Sequence, residues 1–372
     1  MTVSYQALGV RPVVNAAATL TRLGGSRLLP VVIEAMVAGA ESFVDLVELQ
    51  CRVGERIAAL TRNEACYVSS GAAAGIAIAV AACIAGTDPA RISRLPRFDG
   101  PRPEVMIHRA HRNGYDHAAR QTGARLVEFG MAHTTQPWEL DAAWSPRTAC
   151  LLYFAGEHYA AGALPLLDVV AWARQRDVPV LVDAAAQIPP VANLWQLTRD
   201  VGADLAIFSG GKALRGPQST GLVLGRRHLV EACRANGPPS HTIGRPMKVG
   251  KEELLGILAA VGWWLGQDEA QLLAGYERVV QGWLAGLQGI AGVVAERGYP
   301  SEAGQPHARA IVHLTAASRW TRDALVAALW DGEPRIAVGT VGEDAIALNP
   351  QTIDPGEDAL VLAALRRLLA PD

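Results

Sequence analysis

From about residue 65 to about residue 235 the chain repeats one pattern. Short β-branched or apolar runs (ACYVS, EVMIH, RLVEFG, ACLLYF, VPVLVD, DLAIFS, TGLVLG) alternate with helical segments such as LLDVVAWARQR. Runs this short and this apolar read as strands buried on both faces. Helices between them supply the crossovers that parallel strands need. The pattern predicts an α/β fold with a mostly parallel sheet and helices on both faces. In such sheets ligands gather at the carboxyl ends of the strands.

The flanking segments differ. Residues 1–50 hold a Gly-rich turn, RLGGSRLLP, and an amphipathic stretch from Val31 to about Glu48. In LQCRVGERIAALT (49–61), Val53, Ile57 and Leu60 share a helical face. NGPPSHTIGRPMKVGKEE (236–253) is Pro- and Gly-rich and reads as a link. A single long helix is expected from about Lys251 to Leu287. Four short strands (GVVAER, RAIVHLT, RIAVGT, AIALNP) with two helices follow, the last from about Gly356 to Leu369. The expected division is therefore an N-terminal arm and helix (1–50), a large domain (51–240), and a linker, long helix and smaller α/β domain (241–372).

Composition narrows the function classes. Half of the 372 residues are hydrophobic and 19% are charged, as in a globular protein. A net charge of −2 without a basic run argues against nucleic acid as the main partner. The five cysteines are scattered without a CxxC pair, which predicts free thiols in a reducing cytoplasm rather than a disulfide frame or zinc site. No signal-peptide pattern opens the chain. The longest apolar stretch, residues 72–86, falls short of the roughly 20 residues a membrane-spanning helix needs. No membrane partner is expected.

The chemistry concentrates in FSGGKALRGPQSTG (208–221). Lys212 sits in a turn of Gly and Ser just past an apolar strand. The glycines allow close backbone approach, and Ser209 with the adjacent N–H groups can hold an anion. Upstream, VPVLVDAAAQIPP ends a buried-type strand in Asp183. A strand-end Asp followed by a loop Lys points to pyridoxal 5'-phosphate, with Lys212 forming the Schiff base and Asp183 pairing with the pyridine nitrogen. Alone, Asp183 reads as a helix N-cap. SSGAAAG (69–75) follows the strand-like ACYV and opens an apolar helix. The Ser69 and Ser70 hydroxyls and the helix N–H groups make a phosphate site, or equally a Ser-capped turn. HRAHRNGYDH (108–117) offers His108 or His111 to stack on the cofactor. A metal reading of these histidines lacks a completing carboxylate or Cys, and no metal is expected. A substrate carboxylate calls for an Arg fork, with Arg22, Arg27, Arg245, Arg309 and Arg335 as candidates.

NAAATLTRLGGS, ELQCRVGERIAALTRNEACYVSSGAAAGIAIA, LVDAAAQIPP, FSGGKALRGPQSTGLVLG, IGRPMKVGKEE and ALNPQTIDPGED together resemble the fold-type-I pyridoxal-phosphate proteins grouped with bacterial selenocysteine synthase (L-seryl-tRNA(Sec) selenium transferase). They are most like the D-glucosaminate-6-phosphate ammonia-lyase branch, over about residues 8–365. The resemblance implies an aspartate aminotransferase-type large domain with a smaller C-terminal α/β domain. It makes Lys212 the Schiff-base lysine and Asp183 the pyridinium partner. It places Ser69, Ser70, Gly71, Ala72 and Ser209 near the phosphate, Gln187 near the cofactor's 3-oxygen, and His111 over the ring. It implies a homodimer or larger homo-oligomer with sites at subunit boundaries, where Arg245, Lys248 or Lys251 would serve a neighbour. The shared core starts near residue 8, which leaves no tRNA-binding domain. The implied activity is a lyase acting on an amino acid with a β-leaving group, yielding a 2-oxo acid and ammonia. His111 or a water would protonate the leaving hydroxyl. Racemase, aldolase, aminotransferase and selenium or sulfur transfer chemistries share the scaffold. The TRLGGSRL turn carries two arginines, Arg22 and Arg27, where smaller or apolar residues are expected in that branch.

Overall fold

The computed structural model describes residues 3–370. Among these, twelve strands form: β1 Val13–Ala16, β2 Ala65–Ser69, β3 Glu104–His108, β4 Arg125–Phe129, β5 Thr148–Phe154, β6 Val180–Asp183, β7 Leu205–Ser209, β8 Gly221–Gly225, β9 Val293–Gly298, β10 Arg309–Leu314, β11 Arg335–Val341 and β12 Ala345–Leu348. The contacts divide the chain into two compact units, Leu28–Gln267 and Met1–Arg27 with Asp268–Asp372.

In the unit Leu28–Gln267 all seven expected runs become strands of one sheet, ordered β2-β8-β7-β6-β5-β3-β4. Strands β4, β3, β5, β6 and β7 run parallel, and β8 lies antiparallel to both β7 and β2. The sheet is thus mostly parallel. Chain order reverses between β3 and β5, the switch point at which open α/β sheets leave a crevice. The helix Gly71–Ala85 packs on this sheet and is apolar all round, with no polar face to turn outward. Its small residues permit close approach. A Cβ on Gly75 would stand 3.0 Å from Ile207 Cγ2 and 3.1 Å from Val223 Cγ2, on β7 and β8.

Two helix expectations change. The stretch Val31–Glu48 is not one element but the ends of two helices, Pro30–Ala40 and Leu46–Leu60. Asp45 opens the second by accepting the Glu48 N–H at 2.8 Å. The expected long helix from Lys251 is two, Lys251–Leu265 and Glu269–Leu287. Gly266 ends the first, and Asp268 caps the second by accepting the Gln271 N–H at 3.1 Å.

The other unit holds a five-stranded sheet, β1-β11-β12-β10-β9. The four C-terminal runs form its strands as expected. The fifth, β1, pairs parallel with β11, which joins the N-terminal segment to this unit. Trp283, Leu325, Ile336, Ile346 and Leu365 fill its core. No helix among the described residues is long and apolar enough to cross a membrane.

Candidate active site

The predicted site residues of the larger unit gather at the carboxyl ends of its strands. Ser69 ends β2, Ser209 ends β7, and both register with Gly221 at the start of β8. The two serines therefore lie about 10 Å apart across one intervening strand. A Cβ on Gly221 would stand 2.6 Å from the Gly71 carbonyl carbon and 2.8 Å from the Ala72 nitrogen. Only glycine lets the SSGA turn fold across the end of β8. Gly71 takes φ +82°, which turns the chain into the Gly71–Ala85 helix. Ser69 is buried and its hydroxyl donates to the Gly71 carbonyl at 2.9 Å. The Ser70 hydroxyl does not cap the helix. The first-turn N–H groups have no helical acceptor, so the turn presents donors and the positive end of the helix dipole to an anion.

Asp183 ends β6, next to β7, and is 8% exposed. Its Oδ1 accepts the Ala185 N–H at 2.9 Å. Burial pushes its carboxyl above the usual range, and the Ala185 N–H and the Lys212 charge only partly offset that. A buried acid in this state favours a partner that shares a proton with it. Lys212 is half-buried, three residues past β7. Its loop folds tightly back: the Gly210 N–H donates to the Thr220 carbonyl at 2.7 Å, and the Gly216 N–H to the Gly210 carbonyl at 2.9 Å. Cβ atoms on Gly210 and Gly211 would meet Thr220 Oγ1 at 2.0 Å and Gln218 Cα at 2.4 Å. These glycines therefore make room for the returning loop as well as for a ligand. Arg215, in the same loop, takes φ +54°, a conformation that costs a non-glycine residue roughly 1–2 kcal/mol.

His111 follows β3 at the switch point and is fully buried. Its Nδ1 accepts the Phe154 N–H at 3.2 Å, and its Nε2 lies 3.2 Å from the Tyr159 carbonyl. That pattern assigns the proton to Nε2. Burial lowers its pKa to about 4, against the raising effect of the Tyr159 carbonyl. The ring is neutral, and both nitrogens are committed to backbone. Tyr153 and Tyr159 stand edge-on to it, with centroids 4.5 and 5.8 Å away. His108 is buried behind it: its Nε2 accepts the Leu164 N–H at 3.1 Å, and its ring lies 4.2 Å from that of Phe129. Gln187 lies in the turn after Asp183, where its N–H donates to the Ala184 carbonyl at 3.0 Å.

The candidate substrate arginines do not share this unit, with one exception. Arg245 is exposed in the segment after residue 236, as is Lys248, while Lys251 donates to the Gly39 carbonyl at 2.6 Å and pairs with Glu252. Arg22, Arg27, Arg309 and Arg335 belong to the other unit. There Arg27 is engaged by Glu357, at 2.9 Å to its Oε1, and by Asp354 at 3.2 Å. Arg309 pairs with Glu302 at 3.5 Å. Arg22 and Arg335 flank the Trp330 ring at 5.8 and 4.7 Å, and Arg335 Nε donates to the Trp330 carbonyl. Sequence reading missed Gly221, Thr220 and Tyr159. Of these only Gly221 carried a local cue, a glycine opening an apolar run directly after Ser-Thr.

These parts fit pyridoxal phosphate. The glycine-dependent turn at Ser69–Ala72 presents donors for the phosphate, and Asp183 is a buried acid suited to the ring nitrogen. His111 offers a neutral flat face, and Lys212 is near enough to act on Asp183 electrostatically.

Residues 104–248 match the aminotransferase class-V family. The chain is 33% identical to D-glucosaminate-6-phosphate ammonia lyase of Salmonella typhimurium, over 98% of this chain and 97% of that one. It is 41% identical to a 5'-C-glycyluridine monooxygenase-decarboxylase of a Streptomyces species, over 73% of this chain and 68% of that one. A solved structure of D-glucosaminate-6-phosphate ammonia-lyase superposes with a TM-score of 0.84 at 34% identity, covering 99% of both chains.

Proposed function

The chain belongs to the D-glucosaminate-6-phosphate ammonia-lyase family of pyridoxal-phosphate enzymes, and on that premise we propose that it deaminates a phosphorylated 2-amino sugar acid to a 3-deoxy-2-oxo acid. The observation that carries this reading is the convergence of Lys212, Asp183 and the Ser69–Ala72 turn at one end of the sheet, on a chain alike from end to end to a lyase.

Lys212 would hold the cofactor, Asp183 its ring nitrogen, and Ser69, Ser70, Gly71, Ala72 and Ser209 its phosphate. Gln187 would approach the 3-oxygen, and His111 would cover one ring face. When bound, pyridoxal phosphate supplies an electron sink next to the substrate's Cα. Lys212 takes the Cα proton on Nζ. That role needs the neutral amine and is typically worth about 10²–10⁴-fold. Asp183 keeps a proton at the ring nitrogen. His111 gives its face, and because both its nitrogens bind backbone, a water protonates the departing C3 hydroxyl. The substrate thus loses the Cα proton and the hydroxyl as water. A second water then enters at C2, and ammonia leaves.

Arg22 and Arg335 are the candidates for the substrate's anionic ends, since Arg27 already holds two carboxylates. The active form is a homodimer or larger, with the exposed Arg245 and Lys248 offered to a neighbouring copy's site, and the enzyme works in the cytoplasm.

Purified protein is expected to show a visible absorption band that borohydride bleaches, with the cofactor's mass then fixed on Lys212. It should release ammonia from phosphorylated 2-amino sugar acids. Lys212→Ala should lower turnover by at least about 10²–10⁴-fold while remaining folded; an unchanged rate ends this reading. The 41% identity to the monooxygenase-decarboxylase supports a second reading, an oxygen-consuming decarboxylation. An oxygen electrode separates the two: ammonia release without oxygen uptake favours the lyase, and oxygen uptake with carbon dioxide release favours the other.

A further inference from the structure

Glu104, Thr148 and Val180 open β3, β5 and β6, at the end of the sheet opposite Asp183. Beside these strand ends lies a cavity of about 560 Å³, within the range that takes a small-molecule ligand. Pro179 borders it, and Asp183 is four residues further along β6, about 13 Å away. The cavity is therefore separate from the cofactor site. Four arginines, Arg91, Arg94, Arg97 and Arg147, line it against two aspartates, Asp99 and Asp177. Arg147 is held by Glu104, with its Nε at 2.8 Å, and Arg91 donates to the neutral Ile84 carbonyl. Arg94 and Arg97 are exposed and far less engaged. Arg94 stands 3.7 Å from Asp99, with both side chains open to solvent, a pairing worth little. Arg97 meets no carboxylate among the described residues. The strand ends themselves are satisfied through Glu104; the surplus positive charge sits on the segment 91–99 beyond them.

The remaining walls are mostly apolar and include Phe98, Ile84 and Ala149. Phe98 is half-buried and its ring is fixed from behind: a Cβ on Gly123 would stand 2.9 Å from Phe98 Cε2, and Gly123 takes φ +86°. The lining thus sets three requirements on an occupant. Exposed guanidinium forks call for an anion, and phosphate oxygens match them. The exposed carboxylate of Asp177 accepts only, so the occupant must also bring O–H or N–H donors. The apolar walls call for a flat, weakly polar body. A dicarboxylic acid lacks the donors, and a sugar phosphate lacks the flat body. We propose that this cavity binds a nucleoside monophosphate, with its phosphate on Arg94 and Arg97, its base against Phe98, Ile84 and Ala149, and its sugar hydroxyls donating to Asp177. None of these residues belongs to the groups assigned to cofactor or substrate, so nucleotide and cofactor are held at the same time.

The experiment is isothermal titration of the cofactor-loaded enzyme with AMP, adenosine, ribose 5-phosphate and inorganic phosphate. AMP should bind saturably. Adenosine, ribose 5-phosphate and phosphate should each bind at least roughly tenfold more weakly, since each lacks the base contact, the charged contact or both. The double variant Arg94→Ala, Arg97→Ala should weaken AMP at least tenfold with Tm unchanged, because both side chains are exposed. Phe98→Leu keeps apolar bulk at the wall; it should weaken AMP and leave ribose 5-phosphate as it was. The visible band of the cofactor should not move on adding AMP. No AMP binding, or AMP binding undiminished in the double variant, would overturn the proposal. Equal binding of AMP and ribose 5-phosphate would reduce the cavity to a plain phosphate patch, and a band shift that tracks AMP would put the nucleotide in the cofactor site; either result also ends it.

Discussion

Two buried carboxylates on the same sheet have opposite electrostatic fates. Asp183, at the carboxyl end of β6, is 8% exposed, and Glu104, at the amino end of β3, is 1% exposed. Burial raises both carboxyl groups, and for Asp183 it prevails. For Glu104 it is outweighed: Ser145 donates at 2.6 Å, Arg125 at 2.7 Å and Arg147 at 2.8 Å, which brings the group down to about 2. The amino end of the sheet has closed its hydrogen-bond accounts within the protein. The carboxyl end has left one open, with a single backbone N–H and the Lys212 charge acting on Asp183. That asymmetry is the physical content of the rule that such sheets bind ligands at their carboxyl ends. The donors that would stabilise Asp183 fully are left for a ligand to provide.

The largest test of this contrast is Asp183→Asn. The amide keeps the shape but cannot hold a proton at a ring nitrogen. Turnover should fall by about 10²–10³-fold, the usual cost of removing one preorganised electrostatic partner. Melting temperature should stay the same or rise, since a costly buried acid is gone. A loss of stability with unchanged turnover would reverse the assignment.

Glu104→Gln should do the opposite. It leaves Arg125 and Arg147 facing an amide, and the expected loss is about 2–3 kcal/mol of stability, read by denaturant unfolding, with turnover per folded molecule unchanged. The acid limb follows from the same values. Because the folded-state pKa of Glu104 is depressed, its contribution is present above pH 4.5 and drains away as pH falls towards 2.

What could be read in the sequence was whatever the chain encodes locally. The strands of the larger sheet are short, mostly apolar runs, with Asp183 ending one and Lys212 three residues past another, so fold and cofactor were legible together. β1 was not, because VVNA is four residues long and becomes a strand only by pairing Val13 with Arg335. The break at Gly266 did carry a local cue, a glycine followed by Gln267, Asp268 and Glu269, but the apolar spacing resumes so soon beyond it that the stretch reads as one helix. The arginines were hidden for the same long-range reason: Arg27 is occupied by Glu357, 330 residues away. The state of His111 depends on the backbone of Phe154 and Tyr159, which no spacing around residue 111 reveals.

The histidine pair gives the smallest and sharpest test, because it separates a ring held neutral by burial from one free to carry a proton. Burial lowers His108 to about 3 and His111 to about 4, each from an ordinary value near 6.5. The unfolded chain therefore binds more protons than the folded one once pH drops below 6.5. Stability from these rings is complete above that value and is lost as pH falls towards the folded pKa values. Between pH 7 and 5.5 each ring should cost about 1 kcal/mol. Glu104 contributes nothing there, since it titrates lower in both states. His108→Phe, which keeps an aromatic ring beside Phe129, should lower the slope of stability against pH in this window by one ring's share, with the other buried histidines, His111 and His307, still contributing. If His111 instead delivers a proton to the leaving hydroxyl, its nitrogens must leave Phe154 and Tyr159. A turnover profile rising as pH falls through 6.5 would then show the ring charged at work. A flat profile across that window, with stability falling, is the result expected of a neutral face.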